Sequence, residues 1–108
     1  MARISYASQS LADLERISDF LSESGSNALE TLDLIEEAIA ILSRHPLIGR
    51  QAESGLRELV ISHGRTGYVA LYSYEAEHDA ILVLAIRHQR EAGFSGEAIS
   101  ASGKNQLE

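Results

Sequence analysis

Asp79-Ala-Ile-Leu-Val-Leu-Ala-Ile86-Arg-His-Gln-Arg-Glu91-Ala-Gly-Phe94 is the stretch on which the fold turns. It holds seven consecutive apolar residues, Ala80 to Ile86, with no polar alternation. An apolar run that short and unbroken predicts a strand buried on both faces, because neither side is suited to water. The chain then changes abruptly to Arg87, His88, Gln89, Arg90 and Glu91, its densest polar cluster. A rigid strand that delivers polar side chains at its end is a common support for a functional site. The plain alternative is a core strand running out into a solvated tail.

Working back from that strand, Glu75-Ala-Glu-His-Asp79 reads as a turn and Tyr68-Val-Ala-Leu-Tyr-Ser-Tyr74 as the strand before it. Period-two alternation puts Tyr68, Ala70, Tyr72 and Tyr74 on one face and Val69 and Leu71 on the other. His63-Gly-Arg-Thr-Gly67 supplies the glycines of a reversal, and Leu56–His63 reads as another strand, giving an antiparallel meander. Pro46 to Gly55 has no periodicity and reads as a structured connector. Further back, Leu29, Leu32, Ile35, Ile39 and Leu42 recur at helical spacing, as do Leu11, Leu14, Ile17, Phe20 and Leu21. All of them are expected in the core. Ser10-Leu-Ala-Asp13 resembles a capping box at the start of the first helix, with Asp in place of Glu. Gly25 fits a left-handed turn between the helices, which such a short link makes antiparallel. Ile4 and Tyr6 alternate with Arg3 and Ser5 in a short first strand near a sheet edge. The order is β-α-α-β-β-β, an α+β domain in which a helical hairpin covers a small, mainly antiparallel sheet. One domain over residues 1–94 and a tail over residues 95–108 are expected.

Composition limits the partners. Among 108 residues there is no cysteine, so a disulfide framework and a thiolate metal site are excluded and a cytoplasmic location is expected. No apolar run approaches a membrane span, the first residues lack the apolar core of a signal peptide, and no P-loop or dinucleotide fingerprint occurs. No cofactor is implied. His45, His63 and His78 have no metal-ligand spacing and read as surface residues beside turns, so no metal site is expected. The net charge is −7. Residues 1–55 carry nine acidic against four basic side chains, and residues 56–108 carry seven against five. Such a surface repels phosphate backbones and disfavours broad nucleic-acid binding. Arg57, Arg65, Arg87 and Arg90 all fall in the less acidic half, which leaves room for a local basic patch.

Five segments in order carry a resemblance: Leu11-x-Asp-Leu-x-x-Ile17; Ile39-x-x-Leu-x-x-x-Pro46-x-x-Gly-Arg50; Leu56-Arg-Glu-Leu59; Tyr68-Val-Ala-Leu-Tyr72; and Ile81 to Glu91 with its Arg-His-x-Arg-Glu ending. Together they resemble the RelE/ParE superfamily of type II toxin–antitoxin toxins, the ParE-like plasmid-stabilisation branch in particular, over residues 2 to about 94. No single motif is specific; their order and spacing make the match. The resemblance implies a small bacterial toxin silenced by a ParD-like antitoxin, with DNA contacted only through that antitoxin and no membrane role.

Two activities occur in the superfamily. A RelE-like endoribonuclease cuts mRNA on the ribosome and needs proton-transfer groups and a cation on the phosphate. Its candidates are Arg57, Arg87, His88, Arg90 and Glu91. The RelE-like pattern relies on a run of lysines and a late tyrosine, whereas this chain has one lysine, Lys104, and no tyrosine after Tyr74. A ParE-like toxin instead inhibits DNA gyrase through a protein surface, for which Arg87, His88, Arg90 and Phe94 are the candidates. The expected activity is therefore gyrase inhibition by contact, without catalysis; Tyr68, Tyr72 and Tyr74 are core residues or antitoxin contacts. A homologue without toxicity, kept as a regulatory partner of the antitoxin, is the remaining reading.

Overall fold

The run Ala80–Ile86 forms a strand inside a mixed sheet rather than at its edge. A computed structural model describes residues 1–63 and 66–89. Among these the chain forms β1 (Arg3–Tyr6), α1 (Ser8–Glu23), α2 (Ala28–Ala40), β2 (Arg50–Gln51), β3 (Arg57–His63), β4 (Thr66–Glu75) and β5 (Ala80–His88). The strand order is β1-β5-β4-β3-β2, with β1 parallel to β5 and the other neighbours antiparallel. The α+β meander under a helical hairpin is the architecture expected, enlarged by β2. That two-residue strand lies inside the Pro46–Gly55 connector and is too short to leave a periodic signature.

The helices cover one face of the sheet. Ile17, Ile35, Ile39 and Leu42 pack onto Ile61, Ala70, Tyr72, Ile81, Val83 and Ile86, which are all buried. The opposite face is not covered in the same way, and this corrects the expectation that β5 is buried on both sides. Leu82 is 38% exposed, and so is Val60 on β3. Apolarity of a run reports what the strand can bury, whereas burial depends on whether another layer covers it.

The helical stripes also differ from the apolar spacing. On α1 the buried residues are Ser10, Asp13 and Ile17, with Leu14 and Leu21 beside them, while Leu11 and Phe20 are exposed. On α2 the buried residues are Thr31, Ile35 and Ile39, while Leu29 is exposed. The capping box is not formed: α1 begins at Ser8, Ala7 is its N-cap without a side-chain bond, and the Ser10 hydroxyl donates back to the Ala7 carbonyl at 2.7 Å. The cap of α2 is Asn27, whose side-chain oxygen accepts from the Glu30 N–H at 3.1 Å. Gly25 has φ +80°, the left-handed turn expected of it.

Along β5 the pairing slips once: Leu71 faces Ala85 but Tyr72 faces Val83, so Leu84 is the extra residue of a bulge. Arg65, Arg90, Glu91, Phe94 and the boundary between domain and tail lie outside the described residues.

Candidate functional site

The end of β5 is built around an unfinished ladder. Strand β1 stops at Tyr6, and the Ala7 N–H makes one more bond, to the Val83 carbonyl at 2.9 Å, before the chain turns into α1. Beyond that point no described strand lies on the β1 side of β5, and α1 supplies a substitute. Asp13 Oδ2 accepts from the Ile86 N–H at 2.9 Å, and Oδ1 accepts from Gln9 Nε2 at 3.0 Å. Two guanidinium groups face the same carboxylate: Arg87 Nε lies 3.6 Å from Oδ2 and an Arg16 Nη lies 3.8 Å from Oδ1. The Asp13 side chain is 3% exposed and that of Arg87 46%. A carboxylate this buried is retained because hydrogen bonds and opposite charge replace its lost hydration.

Arg87 and His88 diverge. Ile86 is buried under the helices, so alternation sends Arg87 to the other face and returns His88 to the helical side. There the His88 ring meets Tyr68 edge-on, with centroids 5.4 Å apart and planes at 80°. Burial pushes the Tyr68 phenol above its ordinary pKa.

Arg57 is elsewhere. It pairs across β3–β4 with Tyr72, whereas His88 pairs across β4–β5 with Tyr68. Four residues of strand separate those positions, about 13 Å along the sheet. The Arg57 guanidinium donates to the Leu47 carbonyl at 3.2 Å and to the Gly49 carbonyl at 2.6 Å. Tyr72, with no exposed surface, holds the same loop: its hydroxyl donates to the Pro46 carbonyl at 2.8 Å and accepts from the Gly49 N–H at 2.9 Å. This explains Pro-x-x-Gly-Arg in this chain. A Cβ at position 49 would stand 2.6 Å from the Tyr72 hydroxyl and 2.8 Å from the Glu58 carbonyl oxygen, so only glycine fits. Arg50 then reaches Glu58 at 3.0 Å. Arg57 and Tyr72 thus anchor a loop, and Tyr68 and Tyr72 belong to the core.

Tyr74 is less enclosed. Its hydroxyl donates to Asp79 Oδ1 at 2.9 Å, a bond that raises the phenol's pKa, with burial and the carboxylate charge adding to it. His45 and His78 are exposed, His78 at 3.0 Å from Glu75, as expected of turn histidines. Asp13 is the residue that sequence reasoning placed wrongly. Its signal was available: it lies four residues before Ile17, on the buried stripe, where a carboxylate must have partners. Apolar side chains remain on the surface near the loop, where Leu47 and Ile48 border a shallow depression with His45 and Pro46. Among the described residues no group of three or more His, Asp or Glu could hold a metal ion, and no helix is long and apolar enough to cross a membrane.

The comparisons agree with this architecture. The family model for the ParE toxin of the type II toxin–antitoxin system parDE matches residues 4–93. Toxin RelE3 of Caulobacter vibrioides is 35% identical over 71 residues, which span 66% of this chain and 75% of that protein. Among solved structures, the chromosomal ParDE toxin–antitoxin system of P. aeruginosa superposes with a TM-score of 0.65 at 24% identity, over 81% of this chain and 95% of that one. The RelBE2 toxin–antitoxin complex of Mycobacterium tuberculosis gives 0.57 at 23% identity, over 82% and 98%. At those identities the two structures speak for the fold, and the family match covers nearly all of the described chain. This protein belongs to the ParE family and is a toxin of the type II toxin–antitoxin class.

Proposed function

We propose that this toxin arrests growth by inhibiting DNA gyrase through a protein–protein contact, with Arg87 in the contact, until a cognate ParD-like antitoxin covers it. The observation that carries this reading is the divergence, among the described residues, of Arg57, Arg87 and His88. RNA cleavage requires acid, base and cation around one phosphate, within hydrogen-bond reach. Here Arg57 is spent on loop carbonyls, His88 on Tyr68, and Arg87 leaves the opposite face of β5. A net charge of −7 also opposes docking among ribosomal phosphates, whereas a half-exposed arginine on a rigid strand suits a protein surface. Of the other candidates, His88 turns to the helical side of β5, and Arg90 and Phe94 lie outside the described residues, so Arg87 carries the proposed contact. The antitoxin would cover exposed apolar side chains such as Val60 and Leu82 on the open sheet face; of the three candidate tyrosines, Tyr74 is the only partly buried one, on the helical side against the core. Both events take place in the cytoplasm.

A second reading, ribosome-dependent mRNA cleavage, is favoured by the kinship with Toxin RelE3. Purified protein added to a gyrase supercoiling assay and to a translating-ribosome cleavage assay separates the two. Inhibited supercoiling with intact mRNA is expected; cleaved mRNA with unaffected gyrase would replace the first reading by the second. Normal growth at a verified expression level without antitoxin would instead make this chain a non-toxic regulatory homologue.

A further inference from the structure

We infer that Asp13 is the positioning residue for Arg87, holding its guanidinium at the open end of β5 in the orientation presented to the target. This rests on the reading of Arg87 as a target contact. The backbone needs only a neutral acceptor at position 13: the Ile86 N–H takes one oxygen at 2.9 Å, and asparagine would serve it equally. The charge has another purpose. A carboxylate with 3% exposure is costly unless cations face it, and among the described residues Arg87 and Arg16 do. Gln9 adds a hydrogen bond to Oδ1 at 3.0 Å.

The geometry of Arg87 fits the role. Its nearest approach to Asp13 is through Nε, at 3.6 Å, which leaves the paired terminal nitrogens at the half-exposed end of the side chain. An arginine on a strand end ordinarily loses several free rotamers when it docks. One steadied by a buried carboxylate on a helix loses fewer, so a larger share of its contact energy appears as affinity. Asp13 does not itself touch the target.

Asp13→Asn isolates the charge. The asparagine oxygen keeps the Ile86 bond, and the Gln9 amide turns over to present its oxygen to the new NH2 group. Potency is read as the intracellular toxin level that halves growth without antitoxin, so the measurement does not depend on which target is struck. Arg87→Ala is expected to weaken potency about thirtyfold, as a central interface arginine does. Asp13→Asn is expected to weaken it about tenfold, and the double variant to be no worse than Arg87→Ala alone. The melting temperature of Asp13→Asn is expected to match that of the unsubstituted chain. Full potency of Asp13→Asn beside a weakened Arg87→Ala overturns the role of Asp13 and leaves Arg87 in place. Full potency of Arg87→Ala overturns both, and additive losses show that the two residues act independently. Should Asp13→Asn fail to fold, nitrogen-15 relaxation of the Arg87 Nε–H in the unsubstituted protein decides. Order comparable to the β5 backbone supports positioning, and the mobility of a free surface arginine refutes it.

Discussion

Replacing Tyr72 by phenylalanine removes one oxygen and leaves the ring. That oxygen joins β4 to the Pro46–Arg50 loop, donating to the Pro46 carbonyl at 2.8 Å and accepting from the Gly49 N–H at 2.9 Å. Tyr72 has no exposed surface and Gly49 is buried, so no bulk water replaces the lost partner. An orphaned buried N–H costs about 1–3 kcal/mol, and loss of the bond to the partly buried Pro46 carbonyl adds to it. We expect a loss of about 2 kcal/mol, which for a domain of this size lowers Tm by about 8–16 °C. Urea unfolding followed by far-UV circular dichroism measures it, with an unchanged denaturant slope as the check that the native state is otherwise the same. Tyr74→Phe is the matched control, since the same atom is removed from an exposed bond to Asp79. A loss below about 0.5 kcal/mol for Tyr72→Phe, or one equal to that of Tyr74→Phe, would refute the account of this loop as a buried, doubly bonded anchor.

Two other outcomes follow from the same contacts. Gly49→Ala forces a methyl within 3 Å of both the Tyr72 hydroxyl and a backbone oxygen, so it is expected to destabilise by about 1–3 kcal/mol in the same urea experiment; a neutral result would show that the loop yields. Burial, with the nearby Glu36 charge second, pushes Tyr6 above its ordinary 10.0, and burial does the same for Tyr68. The folded state therefore keeps those protons longer than the unfolded chain does. Stability from this source is complete below pH 10 and lost as pH rises through the folded values. Phenolate absorbance should rise later in native protein than in urea, and native tyrosines that all titrate at or below 10.0 would contradict it.

How much of this was legible depends on what kind of signal each element leaves. The meander was readable because its strands are long, largely apolar and parted by a glycine-bearing reversal and the polar Glu75–Asp79 turn, and the helices because three- and four-residue spacing persists over several turns. Which face of each helix turns inward was read less well. Leu11, Leu14, Ile17, Phe20 and Leu21 span more than one stripe, and the one that wins contains Ser10 and Asp13. Those residues are buried for their hydrogen bonds, to Ala7 and to Ile86, which apolar periodicity does not register. Leu11, Phe20 and Leu29 are left outside. The Arg87–Glu91 cluster was recognisable in composition, but the division of Arg87 and His88 between two faces is a property of backbone phase.

That phase is set by Leu84. Ile81 and Val83 turn toward the helices, so uninterrupted alternation would bring Ala85 and then Arg87 to the same side. Arg87 would be driven into the core and Ile86 out of it. The bulge inserts one residue between the pairs Tyr72–Val83 and Leu71–Ala85, and the side-chain set is exchanged: Ile86 enters the core and Arg87 leaves it. The same shift brings His88 inward onto Tyr68. It also coincides with the place where β1 gives way to α1, so the Ile86 N–H that the missing strand would have bonded is turned toward Asp13. The buried carboxylate is thus required by the strand end and, once there, supplies the charge that faces Arg87. A strand interior built for packing becomes a strand end that presents a cation, and one extra leucine makes the difference.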